Sequence, residues 1–186
     1  MQDPPRSNDE PNVRREPCRW TTTTRTESPL PDDASVDVEL TRVFNAPRDL
    51  VYQAFTDPDQ LARWYGPVGF SVPRDSVEVD ARVGGHLRLV MASDTDPAMR
   101  SAVQLRFTEV VENELLVGTE AWEGIPGQQG TWSSRRRLEF HDQDGGTRLV
   151  LREGPHPAGM AEGGRQVWEA MFTKLDTLLE GLSRPA

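Results

Sequence analysis

An apolar stripe near the C-terminus most constrains the fold of this chain. Within residues 160–182, large apolar residues recur at intervals of three and four, which is the spacing of one side of an α-helix. They are Trp168, Met171, Phe172, Leu175, Leu178, Leu179 and Leu182. A helix with so long a stripe must bury it, and we expect it to cover the curved face of a β-sheet.

The segment before this helix is predicted to form about six strands. Apolar and polar residues alternate in HLRLVM (86–91) and SAVQLRFTEV (101–110), with the two-residue period of a strand that has one wet face. SVEVDARVGG precedes them, and ELLVGTEAW, TWSSRRRLEF and GTRLVLRE follow. Turns rich in Gly or Asp, such as DQDGG, separate the strands, and such close spacing is typical of an antiparallel meander.

One strand and two short helices are predicted before the meander. Residues 36–44 alternate as a strand does, and NAPRDLVYQAFTD (45–57) has the apolar spacing of a helix. The second helix has a clear start: Asp57 can cap it, Pro58 suits its first position, and Gln60 stands where a capping box needs it. The Gly-Pro pair at 66–67 ends it.

The first 35 residues are predicted to be a disordered tail. Pro recurs there without apolar periodicity, so too little surface can be buried to offset the entropy of ordering the chain. A recruitment arm using Trp20 is the alternative to a solvated tail. We therefore place one folded domain at 36–182, followed by a short tail at 183–186.

Charge and composition exclude several classes of partner. The formal net charge of −9 argues against nucleic acid, whose binding depends on cations that neutralise phosphates. No stretch approaches the roughly twenty apolar residues of a membrane span, and the opening residues do not resemble a signal peptide, so we expect a soluble, cytoplasmic protein. Cys18 is the only cysteine, which excludes an intrachain disulfide and a cysteine-based zinc site.

The strand TWSSRRRLEF raises the possibility of a buried polar pair. If Leu138 and Phe140 point inward, the two-residue period also points Arg136 inward. The inward set of the next strand continues to Glu153, so a cross-strand pair between Arg136 and Glu153 is plausible. These two residues are the candidate catalytic or ligand-placing pair, and a purely structural pair is the alternative. Glu120 is a lesser candidate of the same kind.

The aromatic residues around Gly66-Pro67 have two interpretations. Trp64 is expected to anchor the helix in the core, whereas Tyr65 or Phe70 could line a ligand entrance. Metal chemistry is not expected, because His86, His141 and His156 lack the spacing of ligands on one face; we predict surface histidines and no metal site.

Several phrases together resemble a known family. They are RVFNAPRDLVYQAFTDPDQLARWYGP at 42–67, VDARVGGHLRLVM at 79–91, GGTRLVLRE at 145–153, and the spacing of Trp168, Phe172, Leu175 and Leu179. The order of elements resembles the helix-grip fold of the START/Bet v 1-like (SRPBCC) superfamily. More narrowly, the phrases are similar to the domain family named after the activator of the heat-shock-protein-90 ATPase. The resemblance covers about residues 36–182.

The resemblance implies an α+β fold in which a curved antiparallel sheet of about seven strands wraps around the long C-terminal helix. It also implies a cavity between sheet and helix, which in the superfamily carries lipids, sterols, polyketides or plant hormones. Some members use this cavity for cyclisation or hydrolysis. The co-chaperone that gave the family its name has a further chaperone-binding domain, and residues 1–35 do not match it.

Three functions compete at this point. The first is binding of a small apolar or amphipathic ligand, without robust catalysis and without a cofactor. The second is a polyketide cyclase-like or hydrolase-like enzyme that uses Arg136, Glu153 and Tyr65. The third is a chaperone-associated or other protein-interaction module, and a homodimer is left open. The residues predicted to line the ligand site are Trp64, Tyr65, Phe70, Leu89, Met91, Leu105, Phe107, Glu120, Trp132, Ser134, Arg136, Glu153, Trp168, Met171 and Phe172.

Overall fold

A computed structural model describes residues 35–96, 98–123, 132–157 and 159–183. The strands are β1 (Ser35–Phe44), β2 (Phe70–Ser71), β3 (Glu78–Val79), β4 (His86–Ser93), β5 (Arg100–Val111), β6 (Leu115–Glu123), β7 (Trp132–Gln143) and β8 (Gly146–Pro157). The helices are α1 (Arg48–Thr56), α2 (Pro58–Trp64) and α3 (Ala161–Ser183). Apart from Ser35, the predicted tail over 1–35 lies outside the described residues, as do 184–186.

The strands form one antiparallel sheet in the order β1-β8-β7-β6-β5-β4-β2, and β3 pairs with β4 beside β2. From β4 to β8 each strand pairs with the next one along the chain, so the predicted meander is confirmed. β1 closes the order by pairing with β8. The predicted α+β helix-grip architecture is therefore confirmed, although the strand expected over 76–85 is reduced to the two residues of β3.

Asp57 joins the two short helices. Its backbone N–H donates to the carbonyl of Gln53 at 2.8 Å and so ends α1. Its side chain accepts hydrogen bonds from the backbone N–H groups of Asp59 and Gln60 at 2.8 and 3.0 Å, which caps α2 as predicted. The reciprocal half of a capping box does not form, because α1 already occupies the Asp57 N–H.

The stripe of α3 is buried against the sheet and the short helices, as predicted, from Trp168 to Leu179. Phe172 packs edge-on against Phe44 of β1 with ring centroids 5.7 Å apart. The last member of the stripe, Leu182, is 40% exposed, because it lies in the final turn of α3. No helix in the described part of the chain is long and apolar enough to cross a membrane.

Candidate functional site

A cavity of about 370 Å³ lies between the sheet and the N-terminal half of α3. Its wall is mostly apolar and is formed by four parts of the chain: the segment after α2, the neighbouring strands β4 and β5, the end of β8, and the start of α3. The lining residues are Pro67, Phe70, Met91, Ser101, Glu153, His156, Gly159, Met160, Gly163, Gly164, Val167, Trp168 and Met171. The volume is near the lower end of the roughly 300–1,000 Å³ that is common for ligand pockets.

A bulge in β8 places two polar side chains in this wall. Val36 pairs with His156 and Val38 pairs with Glu153, so three residue steps of β8 face only two of β1. In a regular strand, side chains three residues apart point to opposite faces. The additional residue reverses that alternation, so Glu153 and His156 are both buried and both line the cavity.

The prediction that all three histidines lie on the surface is therefore wrong for His156. It is 7% exposed, and its Nε2 lies 3.2 Å from Oε1 of Glu153. Strand periodicity does not predict a buried His156, because the alternation of side chains is interrupted at the bulge. Pro155 is the signal that could have revealed the bulge, since β8 is an inner strand and proline is tolerated there only at an irregularity.

Behind the wall lies a buried cluster centred on Arg136. This guanidinium donates from Nε to Oε2 of Glu153 at 2.8 Å and from Nη1 to the hydroxyl of Tyr65 at 3.1 Å, and its Nη2 forms an ion pair with Glu120. It also lies 4.6 Å from the ring centroid of Trp168. The predicted pair of Arg136 and Glu153 is thus present, with Glu120 as a second carboxylate.

The sheet register explains this convergence. Arg136 lies directly opposite Glu153 on β8 and opposite Gly118 on β6. Glu120 is two residues along β6 from Gly118, on the same face and within reach of a long side chain. Gly118 leaves this part of β6 without a side chain, and the side chain of Leu105 lies over it. A Cβ at Gly118 would itself lie 2.5 Å from Cδ2 of Leu105.

The two carboxylates have opposite pKa shifts. Burial raises the pKa of Glu120 to about 8, because the attraction of Arg136 offsets only part of the desolvation and Glu153 adds repulsion. Burial also acts on Glu153, but Arg136 and a hydrogen bond from His156 outweigh it and lower its pKa. Near neutral pH the cluster therefore keeps a proton on Glu120 and a charge on Glu153.

The pKa values of the other two members move upward. Burial opposes the charge on Arg136, but Glu120, Tyr65 and Glu153 outweigh it, so the pKa of the guanidinium is raised. Burial is the main cause that raises the pKa of the Tyr65 phenol, which stays neutral and accepts the hydrogen bond from Arg136. The cluster holds one fixed cation and one fixed anion in contact.

The predicted site residues fall into three groups. Phe70, Met91, Glu153, Trp168 and Met171 line the cavity. Tyr65, Leu105, Phe107 and Arg136 instead border a separate void of about 20 Å³, which has room for about one water molecule. The remaining described members, Trp64, Leu89, Glu120, Ser134 and Phe172, are buried in the core and border neither space.

The prediction that Tyr65 could line the ligand entrance is therefore wrong, because its hydroxyl is turned toward Arg136 in the interior. Trp64 is a core anchor as expected: it is fully buried and its Nε1 donates to the carbonyl of Ala54 at 2.9 Å. Trp132 begins β7, but its side chain lies outside what the structure describes. Sequence reasoning also missed Ser101, Met160 and the glycines at the start of α3, which periodicity does not assign to a face.

Metal binding finds no support in the described residues, where no group of three or more His, Cys, Asp or Glu side chains could hold an ion.

A known protein family matches most of the chain. The sequence profile of the family described as activator of Hsp90 ATPase homolog 1-like protein matches residues 45–180. The chain belongs to this family. Membership confirms the resemblance found in the sequence and supports a ligand-binding fold.

Solved structures agree with this family assignment. A protein of Chromobacterium violaceum is 27% identical, with a TM-score of 0.67 over 78% of this chain and 98% of its own. The AHSA1 protein of Silicibacter pomeroyi has the same TM-score and coverage at 24% identity. DynU16, a protein of the dynemicin biosynthetic locus, shares the fold at 18% identity and a TM-score of 0.60, over 81% of this chain and 48% of its own. No curated protein matches the chain in sequence.

Proposed function

We propose that this chain binds a small apolar or amphipathic molecule in the cavity under the N-terminal half of α3. The observation that carries this proposal is the cavity itself: about 370 Å³, walled mainly by apolar side chains, with Glu153 and His156 at one place in the wall. Ligand pockets combine a large apolar surface with a few polar groups that orient the ligand. A space of this size corresponds to the volume of about twelve water molecules in the liquid. A ligand that fills it would therefore remove much apolar surface from contact with water.

A cavity-filling substitution tests this proposal. A Cβ at Gly163 would have no neighbour within 4 Å, and Gly163 lines the cavity, so Gly163→Leu adds a side chain into open space at the ligand site. Gly181 offers the matched control, because it lies in the same helix, also has no neighbour within 4 Å, and does not line the cavity. The probe is the neutral apolar fluorophore N-phenylnaphthylamine.

The wild-type chain and Gly181→Leu should bind the probe with similar affinity. Gly163→Leu should bind it about tenfold more weakly, which corresponds to the loss of about two methylene groups of buried contact. Equal affinity in all three proteins would place the probe elsewhere and contradict the proposal. Absence of binding to the wild-type chain, for this probe and for a library of lipids and polyketides, would also contradict it.

A polyketide cyclase-like or hydrolase-like activity is the second candidate. It is supported by the contact between the Glu153 carboxylate and the His156 imidazole in the cavity wall, an arrangement that can serve acid-base chemistry. Arg136 is less suited to this role than the sequence indicated, because it contacts Glu153 from behind the wall. His156→Gln should then abolish the turnover of a bound ester or polyketide. The affinity of the variant for that substrate should stay within about threefold of the wild-type value. Unchanged turnover would contradict this candidate.

A protein-interaction module is the third hypothesis and has less support. The exposed large apolar residues belong to separate segments of the described chain and include Val43, Val68, Val83, Met99, Val111 and Leu182. An interaction surface would require them to form one patch. A chaperone partner, a homodimer, a cytoplasmic location and the domain limits of 36–182 stay predictions.

A further inference from the structure

The polar groups in the cavity wall can discriminate between ligand head groups. The polar groups among the described lining residues are the side chains of Ser101, Glu153 and His156 and the indole N–H of Trp168, which donates to Oε2 of Glu153 at 3.3 Å. Glu153 carries a negative charge there, and the same part of the wall contains no lysine or arginine. A ligand that enters the cavity therefore meets a carboxylate and an imidazole, and no lysine or arginine among these residues.

Arg136 does not reverse this polarity, because its guanidinium is already engaged on the far side of Glu153. Its Nε contacts Glu153, its Nη2 contacts Glu120, and its Nη1 contacts the Tyr65 hydroxyl. Arg136 does not line the cavity. An anionic head group beside Glu153 would be a third acidic group around one guanidinium. Each of the three nitrogens of that guanidinium already has a partner.

The first turn of α3 acts in the opposite sense but more weakly. Its backbone N–H groups favour negative charge near Met160 and Gly163, which line the cavity. This turn already contains the carboxylate of Glu162, and the effect of a helix end is screened where the end is exposed. Glu153 is 3% exposed, and a charge in so buried a position acts through a lower dielectric constant.

We propose that the cavity selects amphipathic molecules whose head group is a neutral or cationic hydrogen-bond donor, such as an alcohol or an amine, and rejects anionic amphiphiles such as fatty acids. This inference rests on the proposed function, since it specifies the chemistry of the ligand in the same cavity. The head group would approach the carboxylate of Glu153, and the apolar tail would lie along Met171, Val167 and Phe70.

Three molecules with the same eight-carbon tail test this inference: octylamine, octanol and nonanoate, titrated calorimetrically into the full chain at about pH 7.5. Octylamine should bind about tenfold or more tightly than nonanoate, because a hydrogen bond to a charged group is worth at least that factor. Octanol should bind with intermediate affinity.

Two isosteric variants assign the effect to Glu153. Glu153→Gln removes the charge that helps to raise the pKa of Glu120, so Glu120 can ionise and pair with Arg136, and the variant should weaken octylamine about tenfold while octanol stays within about threefold. Glu120→Gln makes the same chemical change at a residue that does not line the cavity, and it should preserve the order of affinities.

The outcomes separate this inference from the proposed function. Nonanoate binding as tightly as octylamine, or an order of affinities that Glu153→Gln leaves unchanged, would overturn the head-group inference while ligand binding itself stands. Absence of binding for all three molecules would overturn both. The expected order, lost in Glu153→Gln and kept in Glu120→Gln, would support both.

Discussion

Replacing Arg136 with methionine tests whether one cation holds the buried cluster together. The substitution keeps an unbranched side chain of similar length but removes the partner of Glu153 and Glu120. It also removes the hydrogen bond to Tyr65. In the wild-type chain Glu120 already keeps a proton near neutral pH, so the main new cost falls on Glu153.

The size of this cost depends on pH. The variant must either bury an unpaired Glu153 carboxylate or protonate it. Protonation costs about 1.4 kcal/mol for each unit by which the pH exceeds the pKa, so a carboxyl group of ordinary pKa 4.5 costs about 3 kcal/mol to protonate at pH 7. Removing one partner of a buried ion pair typically costs a similar amount, about 3–5 kcal/mol. At pH 5 the protonation cost falls below about 1 kcal/mol. The destabilisation should therefore shrink by about 2 kcal/mol between pH 7 and pH 5.

Urea unfolding of the wild-type chain and Arg136→Met at both pH values measures this difference. Arg135→Met is the matched control, since Arg135 is exposed on the same strand and its substitution should change the free energy of unfolding by less than about 0.5 kcal/mol. If Arg136→Met does not fold at pH 7, recovery of the fold at pH 5 carries the same information. A loss of less than about 1 kcal/mol at pH 7, or an equal loss at both pH values, would refute the reasoning.

Further predictions concern Glu120 and two glycines. Burial raises the pKa of Glu120 from its ordinary 4.5 to about 8 in the folded chain, so the folded state binds an extra proton between these values. Wild-type stability should therefore fall as pH rises from about 5 to 8, by at most about 1.4 kcal/mol per pH unit. Glu120→Gln should flatten this slope in unfolding measured across that range, and an unchanged slope would exclude Glu120 as its source. Gly118→Ala places a Cβ 2.5 Å from Leu105 and 2.7 Å from a backbone oxygen, and should cost about 1–3 kcal/mol. Gly181→Ala, whose Cβ would lie in open space on α3, should instead stabilise the folded chain by about 0.5–1 kcal/mol. Equal melting temperatures for the two alanine variants would contradict both expectations.

Local signals in the sequence were sufficient for most of the fold. Asp57 caps α2 as its position predicted, and Gly66, which follows that helix, has φ of +104°, a conformation that favours glycine. The alternation along β7 and β8 was also sufficient to bring Arg136 and Glu153 together, because side-chain direction in a regular strand depends only on position along it.

The candidate site was less predictable, for two physical reasons. His156 enters the cavity only because β8 has a bulge, and strand periodicity fails across such an irregularity. Leu89 and Phe107 face the same side of the sheet as Met91, yet only Met91 lines the cavity. Whether an inward side chain meets the cavity or the core depends on where α3 packs along the sheet, which the alternation of single strands does not encode.

Native mass spectrometry of the chain purified from cells, alongside Gly163→Leu and Gly181→Leu, tests the central claim most directly. The claim predicts a small molecule that remains bound to the wild-type chain and to Gly181→Leu and is lost from Gly163→Leu. Denaturing extraction should then release that molecule for identification, with an amine or alcohol head group. A bound molecule retained equally by all three proteins, or only ligand-free masses that stay unchanged after incubation with lipids and polyketides, would contradict ligand binding in the cavity.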